Sequence, residues 1–384
     1  MTKQRVGVIG GGQLAWMMGL EAAQLDIDVI VQTPQATDPA VPTTAGYVLA
    51  PIANVAGTQA LSDRCDVLTF ENEFVDLPAL HALAEQGSLF RPSLSALAPL
   101  LDKYTQRQFL ATHKLPNPPF VTLDENIADE TVAAIAAPIG FPLVMKTRRL
   151  GYDGQGTFMI ASATELLATW QQIERQPVLL EAFIPFEKEL AVMVARSPHG
   201  EIALYPVVET QQVDQVCRRV MAPAAVSAAV QQQVAVIART LIEKLDFVGV
   251  LGIELFLAPG DLVLVNEVAP RTHNSGHYTL DACQTSQFAQ QLLAVTGRPL
   301  EGTAMTCDRA LMINLLGFET STSDYAAQRA QLSQRPNTQV YWYGKQGSRP
   351  GRKLGHVTVC LSEEDDWLAI AQAIEAIWYP AGES

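Results

Sequence analysis

Positive charge is scarce in this chain: 26 Lys and Arg stand against 40 Asp and Glu, for a net charge of −14. A general nucleic-acid binder needs a basic face that displaces counterions, so the balance argues against that class. A small anionic substrate stays open, because one local basic cluster suffices for it. Cysteine is sparse as well. Cys65, Cys217, Cys283, Cys307 and Cys360 are odd in number, far apart and never in a C-x-x-C pair. That pattern speaks against a disulfide frame or a zinc site and for reduced thiols. No apolar run reaches the ~20 residues of a membrane-spanning helix. The opening MTKQRVGVIGGG lacks the apolar core and cleavage site of a secretory leader. The expectation is a soluble, cytoplasmic protein with neither membrane nor nucleic acid as partner. Length (384 residues) and a 48% apolar content allow two or three domains with ample core material.

What is present centres on Gly252–Gly276, GIELFLAPGDLVLVNEVAPRTHNSG. Two aliphatic runs, Gly252–Leu257 and Leu262–Glu267, flank Ala258-Pro259-Gly260-Asp261 and predict a β-hairpin. Each run carries one carboxylate where an apolar residue is expected, Glu254 and Glu267. Side chains alternate faces along a strand, so the loop length decides whether the two acids meet. An even-length loop places both on one face; an odd-length loop separates them. Neighbouring like charges on a sheet cost about 0.2–1 kcal/mol even when exposed. A divalent cation between them would relieve that repulsion, and Mg²⁺ suits one or two carboxylates plus substrate phosphates.

Around this hairpin the chain reads as a succession of α/β units. Arg5–Ile9 predicts a strand, and Gly10, Gly12 and Ala15 form a G-x-G-x-x-A turn into a helix, where backbone N–H groups can hold a phosphate. A dinucleotide site expects an acid at the end of the second strand; Gln32-Thr33-Pro34 stands there, which argues against NAD or FAD. Cys65–Phe70 predicts a strand leading to Glu71 and Glu73; these are two apart, so only one is expected to face a crevice. Helix cap, solvated surface and ligand contact are all open to them. Asp102–His113 predicts a helix, and Lys114–Pro119 a proline-stiffened linker. A strand over Pro142–Lys146 then delivers Lys146 to a loop with Gly151, Gly154 and Gly156. A lysine charge beside glycine amides is the chemistry of a phosphate lid. It is not a P-loop, since no Gly-Lys-Ser/Thr follows. Val178–Glu181 predicts another strand; Glu181 could read an adenine edge and Glu189 could take ribose hydroxyls. Near the end, Lys345, Arg349, Arg352, Lys353 and His356 gather beside aromatics, a basic cluster suited to a phosphomonoester.

Together, GYDGQG, NEVAPRTHNSGHYT and RPGRKLGH resemble the N5-carboxyaminoimidazole ribonucleotide synthetase family of the ATP-grasp superfamily. The resemblance runs from Arg5 to about Leu361. It implies an ATP-grasp fold of α/β and α+β character, with an N-terminal Rossmann-like pre-ATP-grasp domain and a small C-terminal domain. The expected boundaries are 1–113, 114–305 (lid subdomain about 120–200) and 306–384. The implied reaction is carboxylation of 5-aminoimidazole ribonucleotide, with ATP, Mg²⁺ and bicarbonate, in purine biosynthesis.

Carried over by position, Lys103, Lys146, Gly151, Gly154, Gln155, Gly156, Glu181, Ile184, Glu189, Gln212, Asn266 and Glu267 would bind ATP. Glu254 and Glu267 would hold the metal. Gln13, Glu73, Tyr152, Asp153, Arg271, His273, Asn274, Lys345, Arg349, Arg352 and Lys353 would bind the ribotide, bicarbonate and the carboxyphosphate formed from it. Asp153, Arg271, His273 and Lys353 would be catalytic, Asp153 as general base. A homodimer is implied by the resemblance alone. Two positions depart from the family pattern: Gln155, where Arg or Lys is usual, and Gln212, where His is frequent. The rival readings are a sister ATP-grasp ligase that activates another acid, a Rossmann oxidoreductase, and a non-catalytic ATP-binding regulator.

Overall fold

The computed structural model describes residues 3–149 and 156–379. Strands Gln4–Ile9, Ile27–Thr33, Gly46–Leu49 and Val67–Phe70 form a parallel sheet in which the first strand lies between the second and the fourth. Val6, Val8, Ile9, Val29, Val31, Leu68 and Phe70 are buried, as expected of parallel strands covered on both faces. The carboxyl ends of the first and fourth strands therefore bring Gly10 and Glu71 to one crevice, the usual ligand position in such sheets.

Phe120–Leu123, Leu143–Thr147, Thr157–Ile160 and Val178–Ala182 form a second, antiparallel sheet. The helices Asp129–Ala136 and Ala163–Gln172 bury Val132, Leu166 and Trp170 against Leu143, Met145 and Leu180. The third sheet has nine strands and runs from Leu262–Ala269 at one edge to Thr338–Trp342 at the other. The strand Lys188–Arg196 belongs to this sheet, not to the lid sheet. Its C-terminal strands are continuous with the rest, because Val216–Ala222 pairs with Arg309–Leu316 and that strand with Lys353–Leu361. Helix Ala228–Lys244, capped by Ser227, buries Val230, Val234, Ile237, Leu241 and Ile242 on this sheet at helical spacing.

The hairpin forms with a loop that differs from the even-length alternatives. Ala258 pairs with Leu262, leaving Pro259, Gly260 and Asp261 as a three-residue loop. An odd loop alone would set Asn266 against Glu254 and turn Glu267 to the other face. A bulge between Glu254 and Leu255 on one strand, with Asn266 as the extra residue on the other, resets the register, and Glu254 stands directly opposite Glu267.

Candidate active site

A cleft of about 670 Å³ opens between the three sheets. Gln13, Glu73, Lys103, Lys146, Glu181, Ile184, Glu189, Gln212, Glu254, Asn266, Glu267, Arg271, His273, Asn274 and Lys353 line it. Gly151, Tyr152, Asp153, Gly154 and Gln155 lie outside the described residues.

The floor is a chain of alternating charges. Helix Lys103–Thr112 is capped by Asp102, whose carboxylate accepts from the Tyr104 and Thr105 amides and pairs with Arg148 (2.9 Å). This cap sets the first turn of the helix beside the hairpin. Lys103 pairs with Glu267, while Lys146 reaches Glu181 (2.6 Å) and Asn266 Oδ1 (3.1 Å). The other Glu181 oxygen accepts from Arg107, whose guanidinium also donates to the carbonyls of Val265 (3.0 Å) and Asn266. Glu181 is thus held by two cations at the wall of the cleft. Burial would raise its pKa, but Arg107 and Lys146 outweigh that and hold it at about 2. Glu267 is pushed up by burial and brought below the usual carboxylate range by Lys103 and Lys146. Among the described residues no lysine or arginine pairs directly with Glu254, which accepts from Asn266 Nδ2 (3.4 Å). Burial, then Glu267 and Glu189, lift it to about 7 against the opposing pull of Lys103 and Lys353.

The loop after the hairpin supplies the opposite wall. Arg271 Nε meets Glu73 at 2.9 Å, and His273 Nε2 lies 3.5 Å from Glu254. Gln287 fixes His273 through its main chain, accepting from the amide (2.9 Å) and donating to the carbonyl (2.7 Å). Asn274 lines the cleft, and its amide also forms a reciprocal pair with buried Asn314 (2.9 and 2.7 Å), which ties the loop to the central sheet.

The basic C-terminal cluster divides. Lys353 lines the cleft, and Lys345 donates to the Lys353 carbonyl (3.0 Å). Arg352 closes its own turn by donating to the carbonyls of Gln346 and Gly347, and Arg349 is exposed; neither lines the cleft. His356 is buried, bonded to Tyr343 Oη (2.9 Å) and stacked on Tyr341, and burial lowers its pKa to about 3. It packs as a neutral core ring and is not a phosphate ligand.

The glycine turn near the N-terminus is filled from within. Glu71 accepts from the amides of Gly12 (2.9 Å) and Leu14 (3.2 Å), so its carboxylate sits where a phosphate would sit in a dinucleotide fold. Gln32, at the ribose-acid position of such a fold, is itself buried, with its amide on Pro51, Ile52 and Asn54 carbonyls and its oxygen accepting from Thr58. Gly156 is likewise a local requirement: it has φ +78°, and an added Cβ would meet Thr147 Oγ1 at 2.3 Å.

Arg107 and Gln106 were not singled out by the sequence. Arg107 lies one helical turn beyond Lys103 and so on the same face, which was the available signal. Gln106 bonds both the amide (2.9 Å) and the carbonyl (3.0 Å) of Val268.

Three family profiles match the chain in order: a ribonucleotide synthetase preATP-grasp domain over 1–99, an ATP-grasp domain over 108–288, and a phosphoribosylaminoimidazole carboxylase C-terminal domain over 310–369. The N5-carboxyaminoimidazole ribonucleotide synthase of Synechococcus elongatus is 55% identical over 381 residues, covering 98% of this chain and 95% of the relative. Among solved structures, an ADP complex of an N5-carboxyaminoimidazole ribonucleotide synthetase superposes with TM-score 0.90 at 29% identity, covering 98% and 97% of the two chains. The Aspergillus clavatus N5-carboxyaminoimidazole synthase, in complex with ADP and 5-aminoimidazole ribonucleotide, gives 0.87 at 30% identity, again covering 98% and 97%. With this identity sustained along the whole chain, and the paired hairpin acids and their lysines in one cleft, the protein belongs to the N5-carboxyaminoimidazole ribonucleotide synthase family of ATP-grasp ligases.

Proposed function

We propose that this protein uses ATP and bicarbonate to carboxylate the exocyclic amine of 5-aminoimidazole ribonucleotide, releasing ADP and phosphate, as a step of purine biosynthesis. The observation that carries the reading is the Glu254–Glu267 pair, set on one face beside Lys103 and Lys146 and across from Arg271 and His273.

Mg²⁺ fits the donors present. Glu254 and Glu267 offer oxygen only; burial and then like-charge repulsion lift Glu254, and a divalent cation relieves the repulsion. Among the described residues no three His, Cys, Asp or Glu side chains converge, so the ion would rest on two carboxylates with phosphate and water completing its shell. When bound, it supplies charge neutralisation on the triphosphate.

Lys103, Lys146 and Asn266 orient the terminal phosphates, while the main chain near Ile184 and the Glu189 carboxylate receive adenine and ribose. Glu181 acts through Lys146. Arg271 and His273 hold bicarbonate in line with the γ-phosphorus, so that its oxygen attacks and the bond to ADP breaks. The resulting carboxyphosphate separates into phosphate and CO₂ beside the ribotide amine. The amine nitrogen bonds to CO₂ and loses its proton to Asp153. Lys353 takes the ribotide phosphate, with Lys345, Arg349 and Arg352 adding positive field; Gln13 and Glu73 face the ribotide from the N-terminal domain. The working unit would be a cytoplasmic homodimer of three domains divided near residues 113 and 305.

The test is phosphate release with ATP, Mg²⁺, bicarbonate and ribotide, each omitted in turn. Release that needs all four supports the reading; release supported by formate in place of bicarbonate would assign the chain to a sister ligase.

A further inference from the structure

We infer that Arg107 is a positioning residue of this active site, the group that fixes where Lys146 and the Asn266 bulge stand. The inference rests on the ATP-site reading of the cleft and adds a residue to it.

The strand Leu262–Ala269 is the edge of the nine-stranded sheet, and an edge strand presents unpaired amides and carbonyls. The bulge at Asn266 interrupts the ladder at the point where Glu254 and Glu267 must share a face. Helix Lys103–Thr112 covers this edge with side chains. Gln106 satisfies Val268, and Arg107 donates to the carbonyls of Val265, the last paired residue before the register shift, and of Asn266, the bulged residue itself. A planar fork of N–H donors can bridge two successive carbonyls and a carboxylate at once; a lysine ammonium is a point charge and cannot span all three.

The third acceptor is Glu181, which binds Arg107 through charge. Arg107 and Glu181 are both 2% exposed, so neither is screened by water. Glu181 divides its oxygens, one to Arg107 and one to Lys146. With Arg107 present, two cations share one anion, and Lys146 keeps net positive charge to present to a phosphate. Without it, Lys146 would be the only direct counterion of a buried carboxylate, drawn away from Asn266 and neutralised. Arg107 itself does not line the cleft, so its effect on chemistry is exerted through these neighbours.

The experiment compares Arg107→Lys and Arg107→Met with wild type in the full chain. It reads MgADP affinity by calorimetry, kcat and the KM for ATP by phosphate release, and thermal unfolding. Arg107→Lys keeps the charge but loses the bridge: MgADP affinity is expected to stay within about threefold, with kcat down about tenfold. Arg107→Met loses both, with MgADP affinity weakened about tenfold and kcat down about 100-fold, the scale of a small misplacement of reacting groups. Wild-type kcat and MgADP affinity in Arg107→Lys would overturn the assignment, whether or not Arg107→Met folds. A lowered melting temperature with unchanged turnover per folded molecule would overturn it as well. If wild type itself shows no ribotide-dependent phosphate release, the proposed reaction fails, and MgADP affinity still decides the role of Arg107: about tenfold weaker binding by folded Arg107→Met, with Arg107→Lys within about threefold, supports it, and wild-type affinity in both overturns it.

Discussion

Glu254 faces Glu267 directly across the hairpin, and the two carboxylates divide the available positive charge unequally. Lys103 is bonded to Glu267, while Glu254 is held near pKa 7 by burial and by its acidic neighbours. A cation entering the site must displace a proton from Glu254 below neutrality. Mg²⁺ affinity should therefore rise by up to about tenfold per pH unit up to roughly 7 and level off above it, as single-proton linkage requires. Calorimetry in buffers of different ionisation enthalpy would show the released proton. In Glu254→Gln both the affinity and its pH slope should fall. The unfolded carboxylate binds its proton less tightly than the native one, so Glu254 makes the fold less stable as pH rises from the usual carboxylate range through about 7. The glutamine variant should flatten that slope in chemical denaturation.

Glu181 gives the opposite sign. Its native pKa of about 2 lies below that of an unfolded carboxylate, so its contribution is present above the unfolded value and lost as pH falls towards 2. Glu181→Gln leaves Arg107 buried with a neutral partner and should destabilise the protein by about 3–5 kcal/mol near neutrality. The difference from wild type should shrink on acidification. Denaturant melts at several pH values would measure it.

Gly12→Ala should disturb the cap over the first helix. The new Cβ would stand 2.3 Å from Glu71 Oε1, the oxygen that accepts from Leu14, so the carboxylate must shift and weaken its bonds to the Leu14 and Gly12 amides. A loss of about 1–3 kcal/mol is expected from this overpacking, read as a lower urea midpoint with an unchanged slope.

Lys353→Met should raise the KM for the ribotide by about ten- to 100-fold, the worth of one charge-assisted hydrogen bond. Arg349→Ala, altering an exposed side chain outside the cleft lining, should change it less. Initial rates with the ribotide varied at saturating ATP and bicarbonate would rank the two.

Much of this site was legible because chemistry forces anomalies into a sequence. A carboxylate in the apolar run of Ile253 and Leu255, or a lysine closing a strand at Lys146, has no reason to stand there in a plain sheet. The bulge was not legible. An extra residue in a ladder has no compositional mark, and Asn266 looks like any polar residue of the strand; the loop length alone would have separated the acids. Nor were the bonds that Asn274 makes to Asn314, and Arg352 to its own turn, legible, since both depend on distant or local backbone geometry. Glu71 and Glu73 show the same limit: only one was expected to face the crevice, yet both line it, Glu71 turned onto the amide of Gly12, 59 residues earlier in the chain, and Glu73 onto Arg271.

The pairing of Val216–Ala222 with Arg309–Leu316 makes the last third of the chain inseparable from the middle. A fragment ending near residue 305 would bare the backbone rim of Arg219–Ala222, and such a rim recruits other chains. The shortened protein should precipitate on expression rather than survive as a minimal ATPase. Attempts to graft a different ribotide specificity would have to rebuild the surface of one shared sheet.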